Sequence, residues 1–139
     1  MFVCLKCNDI ASCGPLAKLR QGAVIISLQN GVENAPRLRE LLPGYAVVAG
    51  MVPYGVNEVA AGHFHRGTFG PLAFEDLLPS AVRDGLVRGG LEVELHSPRE
   101  MEALMWGKLV INLQNAPNAL VGRPLVECLE DSRYRSIMT

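Results

Sequence analysis

Three short apolar runs, spaced by segments of helical pattern, constrain this chain more than any other feature. Phe2-Val3-Cys4-Leu5, Ala23–Leu28 and Ala46–Val52 are almost wholly apolar and rich in β-branched residues. Strands buried on both faces of a parallel sheet read this way. Between the first two runs lie a loop, Lys6–Asp9, and a helix over Pro15–Arg20 that Gln21-Gly22 stops. The second run feeds the tight turn Gln29-Asn30-Gly31-Val32, where Gly31 can take a positive φ. A helix over Glu33–Leu42 follows, with Leu38, Leu41 and Leu42 on one face and Pro43-Gly44 as its stop. Strand-helix-strand-helix-strand with such short connections predicts right-handed parallel crossovers and a sheet covered on both faces.

Composition narrows the class. At 139 residues, 49% hydrophobic and 19% charged, the chain is one ordinary domain or pieces of two, with material for a core. A net charge of -1 gives no electrostatic reason to expect nucleic acid or an anionic membrane. No apolar run reaches the roughly 18 residues of a transmembrane helix. The N-terminus, Met1-Phe2-Val3-Cys4-Leu5-Lys6, lacks the basic and apolar regions of a signal peptide. The cytoplasm is then the default compartment, with the four cysteines as reduced thiols.

Beyond Val52 the pattern changes. Val59–Thr68 and Gly70–Phe74 read as two strands with a bend at Gly67–Gly70, hence a hairpin over 59–75. Leu78–Val87 is an amphipathic helix ended by Gly89-Gly90, and Leu91–Leu95 alternates like an edge strand with one wet face. Ser97, Pro98 and Glu100 then form an N-terminal helix signature: cap, first helical position and capping-box acid. The helix they open is apolar on nearly every side through Leu104–Ala116, which predicts burial. Pro117-Asn118 should break it, before a last amphipathic segment over Pro124–Leu129. The expected architecture is α/β: the second half of an open parallel sheet, then the first helices of an all-α domain. Both ends read as cut, because the first strand has no preceding turn and the last residues carry no stop signal.

Chemistry concentrates at two places. Lys108, Asn112 and Asn115 lie four and then three residues apart, which stacks them on one helix face. A buried ammonium needs a partner, and buried amides need hydrogen bonds. The stripe is therefore either a polar site facing a cavity or a lysine reaching the surface beside two satisfied amides. Lys6, Asn30 and Pro53-Tyr54 occupy the carboxyl ends of the three expected parallel strands, where ligands bind in open sheets. Cys4-x-x-Cys7 with Cys13 reads as small buried thiols rather than a metal or redox centre, since no second pair follows. His63 and His65 read as solvent-facing hairpin residues, with no third ligand indicated, and Trp106 as core packing.

Taken together, Cys4-Leu5-Lys6, Leu28-Gln29-Asn30-Gly31-Val32, the Gly62–Gly70 hairpin and Leu104-x-Trp106-x-Lys108-Leu109-x-x-Asn112 resemble the ketopantoate reductase (2-dehydropantoate 2-reductase) family. The resemblance covers almost the whole chain. It implies a partial NADP-binding, Rossmann-like domain over 1–97 and the start of a helical substrate and dimer domain over 98–139. It implies NADPH-dependent reduction of 2-dehydropantoate, a small 2-keto acid, to pantoate in pantothenate and coenzyme A synthesis, with a homodimer as a possible assembly. By resemblance Lys108 is the catalytic lysine that protonates the keto oxygen, Asn112 holds substrate, Asn30 meets both substrate and the nicotinamide region, and Lys6 lies against the cofactor. No metal is implied.

The departures matter too. The family's glycine-rich phosphate motif, G-x-G-x-x-G or G-x-G-x-x-A, is not in this sequence, and Ala116 stands where many members have an Asn. The carboxylate that partners the catalytic lysine would follow Thr139. The expectation is that these 139 residues by themselves bind NADPH poorly and turn over negligibly. Two alternatives stay open: a non-catalytic, truncated or degenerate paralogue acting as an interaction module, and a related 2-keto acid dehydrogenase.

Overall fold

The computed structural model describes residues 1–123 and 125–138, leaving aside the side chains of residues 14–18, 125, 126, 135, 137 and 138. Seven strands and six α-helices form in chain order: β1 (Phe2–Val3), β2 (Val24–Ser27), α1 (Asn34–Leu41), β3 (Ala46–Met51), β4 (Val56–Ala60), β5 (His63–Arg66), β6 (Leu72–Glu75), α2 (Ser80–Arg88), β7 (Val93–His96), α3 (Pro98–Asn112), α4 (Asn115–Val121), α5 (Leu125–Glu130) and α6 (Ser132–Met138). The main sheet has the order β1-β2-β3-β6-β7. Its first three strands are parallel, in the register Phe2↔Ile26 and Ile26↔Val48. β6 then runs antiparallel to β3, and β7 parallel to β6. The expected mixed α/β architecture is present, with β7 at an edge as its wet face predicts.

Alternation along the strands sorts the core into two layers. Ile25, Val47, Ala49 and Ala73 face one way, against Ala35, Leu38 and Leu42 of α1 and its end and Met101 of α3. Ile26, Val48, Leu72 and Phe74 face the other way, against Leu78 and α2's Val82 and Leu86. Burial of each such aliphatic side chain contributes about 1.5–3 kcal/mol. Gly50 of β3 has a specific reason to be glycine: a Cβ there would lie 2.7 Å from the Phe74 ring and 2.9 Å from Leu28. A charged residue also enters the first layer. Glu75 is buried, accepts two bonds from Arg39 at 2.9 and 2.8 Å, and accepts a third from the Ala49 N–H at 2.9 Å. Those bonds answer the desolvation of its carboxylate.

Several expectations are corrected. The segment expected as a loop and a helix over Pro15–Arg20 is one 3-10 helix, Cys7–Lys18. Its buried Ile10 and Cys13 are three residues apart, so they eclipse on one face at the 3-10 period. The hairpin expected over 59–75 is instead β4 with β5, Val56 to Arg66, turning at Gly62 with φ +72°. Residues 72–75 belong to the main sheet beside β3. The Gly67–Gly70 stretch is thus a crossover from ribbon to sheet, and the true turn glycine is the one with left-handed φ. Pro117 does not end the long helix but sits in the first turn of α4, and the break comes earlier, at Leu113-Gln114. A proline cannot accommodate the carbonyl four residues back, here Leu113, so the helix must yield before it. Pro124, where the last amphipathic segment was to begin, lies outside the described residues.

The largest correction concerns α3. Its capping box forms as expected from Ser97 and Glu100. The helix, however, buries only Met101 fully, while Trp106 is 49% and Ile111 63% exposed. Trp106 is therefore not core. The helix contacts β3, β6 and β7 along one face. The remaining apolar faces have nothing packed on them among the described residues. Cys4 and Cys7 are likewise exposed rather than buried, because β1 ends at Val3 and is an edge strand.

Candidate functional site

The carboxyl ends of β1, β2 and β3 open on one edge of the sheet, and α3 crosses that edge. At the end of β2 the chain turns through Gly31, with φ +97°. Buried Gln29 braces this turn: its Nε2 donates to the Leu5 carbonyl at 2.8 Å, and its Oε1 accepts from Ser27 Oγ at 3.3 Å. One side chain thus ties the end of β1 to the end of β2. The next residue, Asn30, projects from the turn and is exposed, while its carbonyl accepts from Asn34 Nδ2 at 2.6 Å. That bond fixes the start of α1 to the turn.

A narrow cleft forms where this turn meets α3. Gln29, Asn30 and Gly31 line one wall, Gly50 and Met51 the floor, and Met105, Lys108 and Leu109 the other wall. Lys108 is half-buried and donates from Nζ to the Val52 carbonyl at 2.5 Å, just past the end of β3. Burial pushes its pKa below the ordinary lysine value, because desolvation disfavours the ammonium. The alternative of a lysine simply reaching into solvent does not describe this geometry.

The structure brings Lys108 and Asn30 to one cleft. Asn112 lies one turn further along α3, half-buried, and does not line it; Asn115 is exposed in α4. Lys6 is exposed on the loop after β1, at the same sheet edge but outside the cleft. Tyr54 is half-buried outside the cleft, packed toward the Phe74 layer and beneath the guanidinium of Arg66. Two participants were not legible as such. The Val52 carbonyl is a backbone group in an apolar run, and Gln29 differs from any polar turn residue only in reaching back to Leu5. His63 and His65 are exposed on the ribbon, as expected.

Comparison with known proteins places the chain in a family. The sequence pattern of the ketopantoate reductase PanE/ApbA family matches residues 1–78, more than half of the chain. The chain belongs to the ketopantoate reductase family. It is 28% identical to the 2-dehydropantoate 2-reductase of Halobacterium salinarum, over 92% of this chain and 45% of that protein. The crystal structure of a PanE/ApbA family ketopantoate reductase from Ralstonia eutropha JMP134 superposes with a TM-score of 0.81 at 28% identity, over 99% of this chain and 46% of the other. The 2-dehydropantoate 2-reductase structure from Geobacter metallireducens GS-15 gives a TM-score of 0.79 at 23% identity, over 99% and 48%. This ketopantoate reductase family chain therefore spans about half the length of the relatives it matches.

Proposed function

We propose that the cleft between the β2 turn and α3 is the keto-acid end of an NADPH-dependent 2-dehydropantoate reductase site. The observation that carries the reading is Lys108, half-buried at a strand end with its ammonium fixed on the Val52 carbonyl and facing the Asn30 turn. Reduction of a keto group places negative charge on its oxygen, and a fixed ammonium beside that oxygen stabilises the charge and gives up a proton to form the hydroxyl. A lysine whose pKa is lowered by burial is a better acid for this step. Asn30 and, from the next turn of α3, Asn112 supply amide groups to hold the keto acid. Lys6, exposed on the loop after β1, supplies a positive charge at the end of that strand.

The residues present fit one end of the cofactor. The open turn at Gly31, the Asn30 amide and Lys6 share the sheet edge and suit the nicotinamide and ribose, whereas the chain contains no glycine-rich loop for the pyrophosphate. When bound, the cofactor supplies the hydride. We read residues 1–97 as part of the NADP-binding domain and 98–139 as the start of the helical one, since a capping box opens an all-helical stretch at Ser97. The 139 residues by themselves bind NADPH weakly and have negligible turnover.

The test is calorimetric titration of the chain with 2-dehydropantoate, alongside NADPH oxidation assays. Lys108→Met and Asn112→Ala should each weaken keto-acid binding, by about tenfold for the lysine. Binding indifferent to Lys108→Met removes its assigned role, and steady NADPH oxidation by the chain overturns the claim of inactivity. The exposed apolar face of α3 favours a second reading, an interaction module; absence of any keto-acid binding would leave that one standing.

A further inference from the structure

The β4–β5 ribbon rises from the same sheet edge, and its base is built around an arginine. Gly67 donates to the Gly55 carbonyl at 3.0 Å, and Pro53 Cγ sits 3.1 Å from where a Cβ on Gly70 would be. Within this pinned base, the guanidinium carbon of Arg66 lies 4.6 Å from the centroid of the Tyr54 ring and 4.5 Å from that of Phe69. Arg66 is half-buried. Three other arginines, Arg39, Arg83 and Arg133, each have a carboxylate. Among the described residues Arg66 has neither a carboxylate nor any other hydrogen-bond acceptor.

Two aromatic rings attract the charge but accept none of the guanidinium's five N–H groups. They immobilise a planar donor fork whose natural complement is a planar or tetrahedral oxyanion. Ordering a half-buried arginine with its donors unused costs side-chain entropy and desolvation that stacking only partly offsets. The place is apt as well. Tyr54 is two residues past Val52, so this stack begins within about 7 Å of chain from the carbonyl that holds Lys108.

We infer that Arg66, held against Tyr54 and Phe69, is an oxyanion-binding fork at the base of the β4–β5 ribbon. Its ligand group is a carboxylate or a phosphate. The keto acid's carboxylate and a phosphate of the cofactor share this chemistry, and only that choice of source rests on the function proposed above.

The test is nitrogen-15 NMR of the 139-residue chain, following the Arg66 Nε–Hε signal, which is identified by its loss in Arg66→Lys. A saturable shift with 2-dehydropantoate assigns the fork to the substrate carboxylate, and one with inorganic phosphate alone assigns it to a phosphate. No saturable shift with either overturns the inference. Arg66→Lys keeps the charge and loses the fork, so affinity for the active anion should fall about tenfold. If that variant does not fold, Tyr54→Leu, which keeps the guanidinium and frees it, should weaken the same shift; unchanged affinity in a folded variant overturns the proposal. In Lys108→Met, a signal that still moves with phosphate supports the fork whatever becomes of Lys108. Keto-acid binding that needs Lys108, with an Arg66 signal that neither the keto acid nor phosphate moves, overturns the fork alone.

Discussion

The layer formed by β2, β3 and α1 and the segment formed by α3 and α4 have similarly apolar sequences and opposite fates. Ile25 and Leu38 in the first are fully buried; Ile111 is 63% and Leu120 90% exposed in the second. Hydrophobicity says what can be buried. Whether it is depends on having a surface to meet, and among the described residues α3 meets one along the face that carries Met101, Met105, Lys108 and Leu109. The difference teaches what sets Lys108 apart. It sits where the packed layer ends and the uncovered helix begins, dry enough for its pKa to fall and beside the Asn30 turn.

The comparison breaks most directly by paired truncation. Leu38→Ala should cost about 2–5 kcal/mol, since it empties a closed site, whereas Ile111→Ala should stay within about 0.5 kcal/mol. Urea unfolding of the two variants decides it; equal losses would mean that α3 is covered in solution, by self-association or otherwise. Next in size is Gly50→Ala. Its methyl would press on Phe74 and Leu28 at 2.7 and 2.9 Å, so about 1–3 kcal/mol of destabilisation is expected, together with a disturbed cleft floor. A neutral result by the same unfolding measurement would mean that the β3–β6 pair yields more easily than a packed core should.

Most of the packed layer was legible because its signals are local and agree with one another. Ala23–Leu28 and Ala46–Val52 are continuous apolar runs, Gly31 turns with positive φ, and Ser97 with Glu100 forms the capping box its spacing announces. The misreadings have a common cause, which is that two structures share one local pattern. Val59–Thr68 alternates like a single strand, and only the left-handed Gly62 makes it a hairpin. Ile10 and Cys13 satisfy a period of three as well as loop-like spacing. In the site, Lys108 and Asn30 were legible from the family resemblance and from strand-end position. The Val52 acceptor, the Gln29 brace and the Arg66 stack were not, since each joins residues through tertiary contacts that no spacing encodes.

Ser97→Ala sharpens the boundary between the two regions. It removes the side-chain acceptor of the Glu100 N–H and the hydroxyl that donates to Glu100 Oε2 at 2.6 Å. The loss should be about 1 kcal/mol of stability. The same hydroxyl holds the Glu100 carboxyl below the usual carboxylate range, so in the variant that group should titrate nearer its ordinary value. Carbon-13 NMR of the Glu100 carboxyl follows it. An unmoved titration would show that the capping box does not persist in solution.

Lys108→Met produces the smallest change and the one that bears most on the site. Burial lowers the lysine pKa in the folded chain, so between that lowered value and the ordinary 10.5 the unfolded chain binds more protons than the folded one. Stability of the parent chain must therefore rise with pH across that window, the cost of a desolvated charge being fully present below it and gone above it. Methionine removes both the charge and its pH dependence, so the variant should lose this alkaline rise while keeping the fold. Urea midpoints measured between about pH 8 and 10 read the difference in slope directly. Parallel slopes for the two proteins would place the Lys108 ammonium in water rather than against Val52, and the cleft would then lack the proton donor that its proposed chemistry requires.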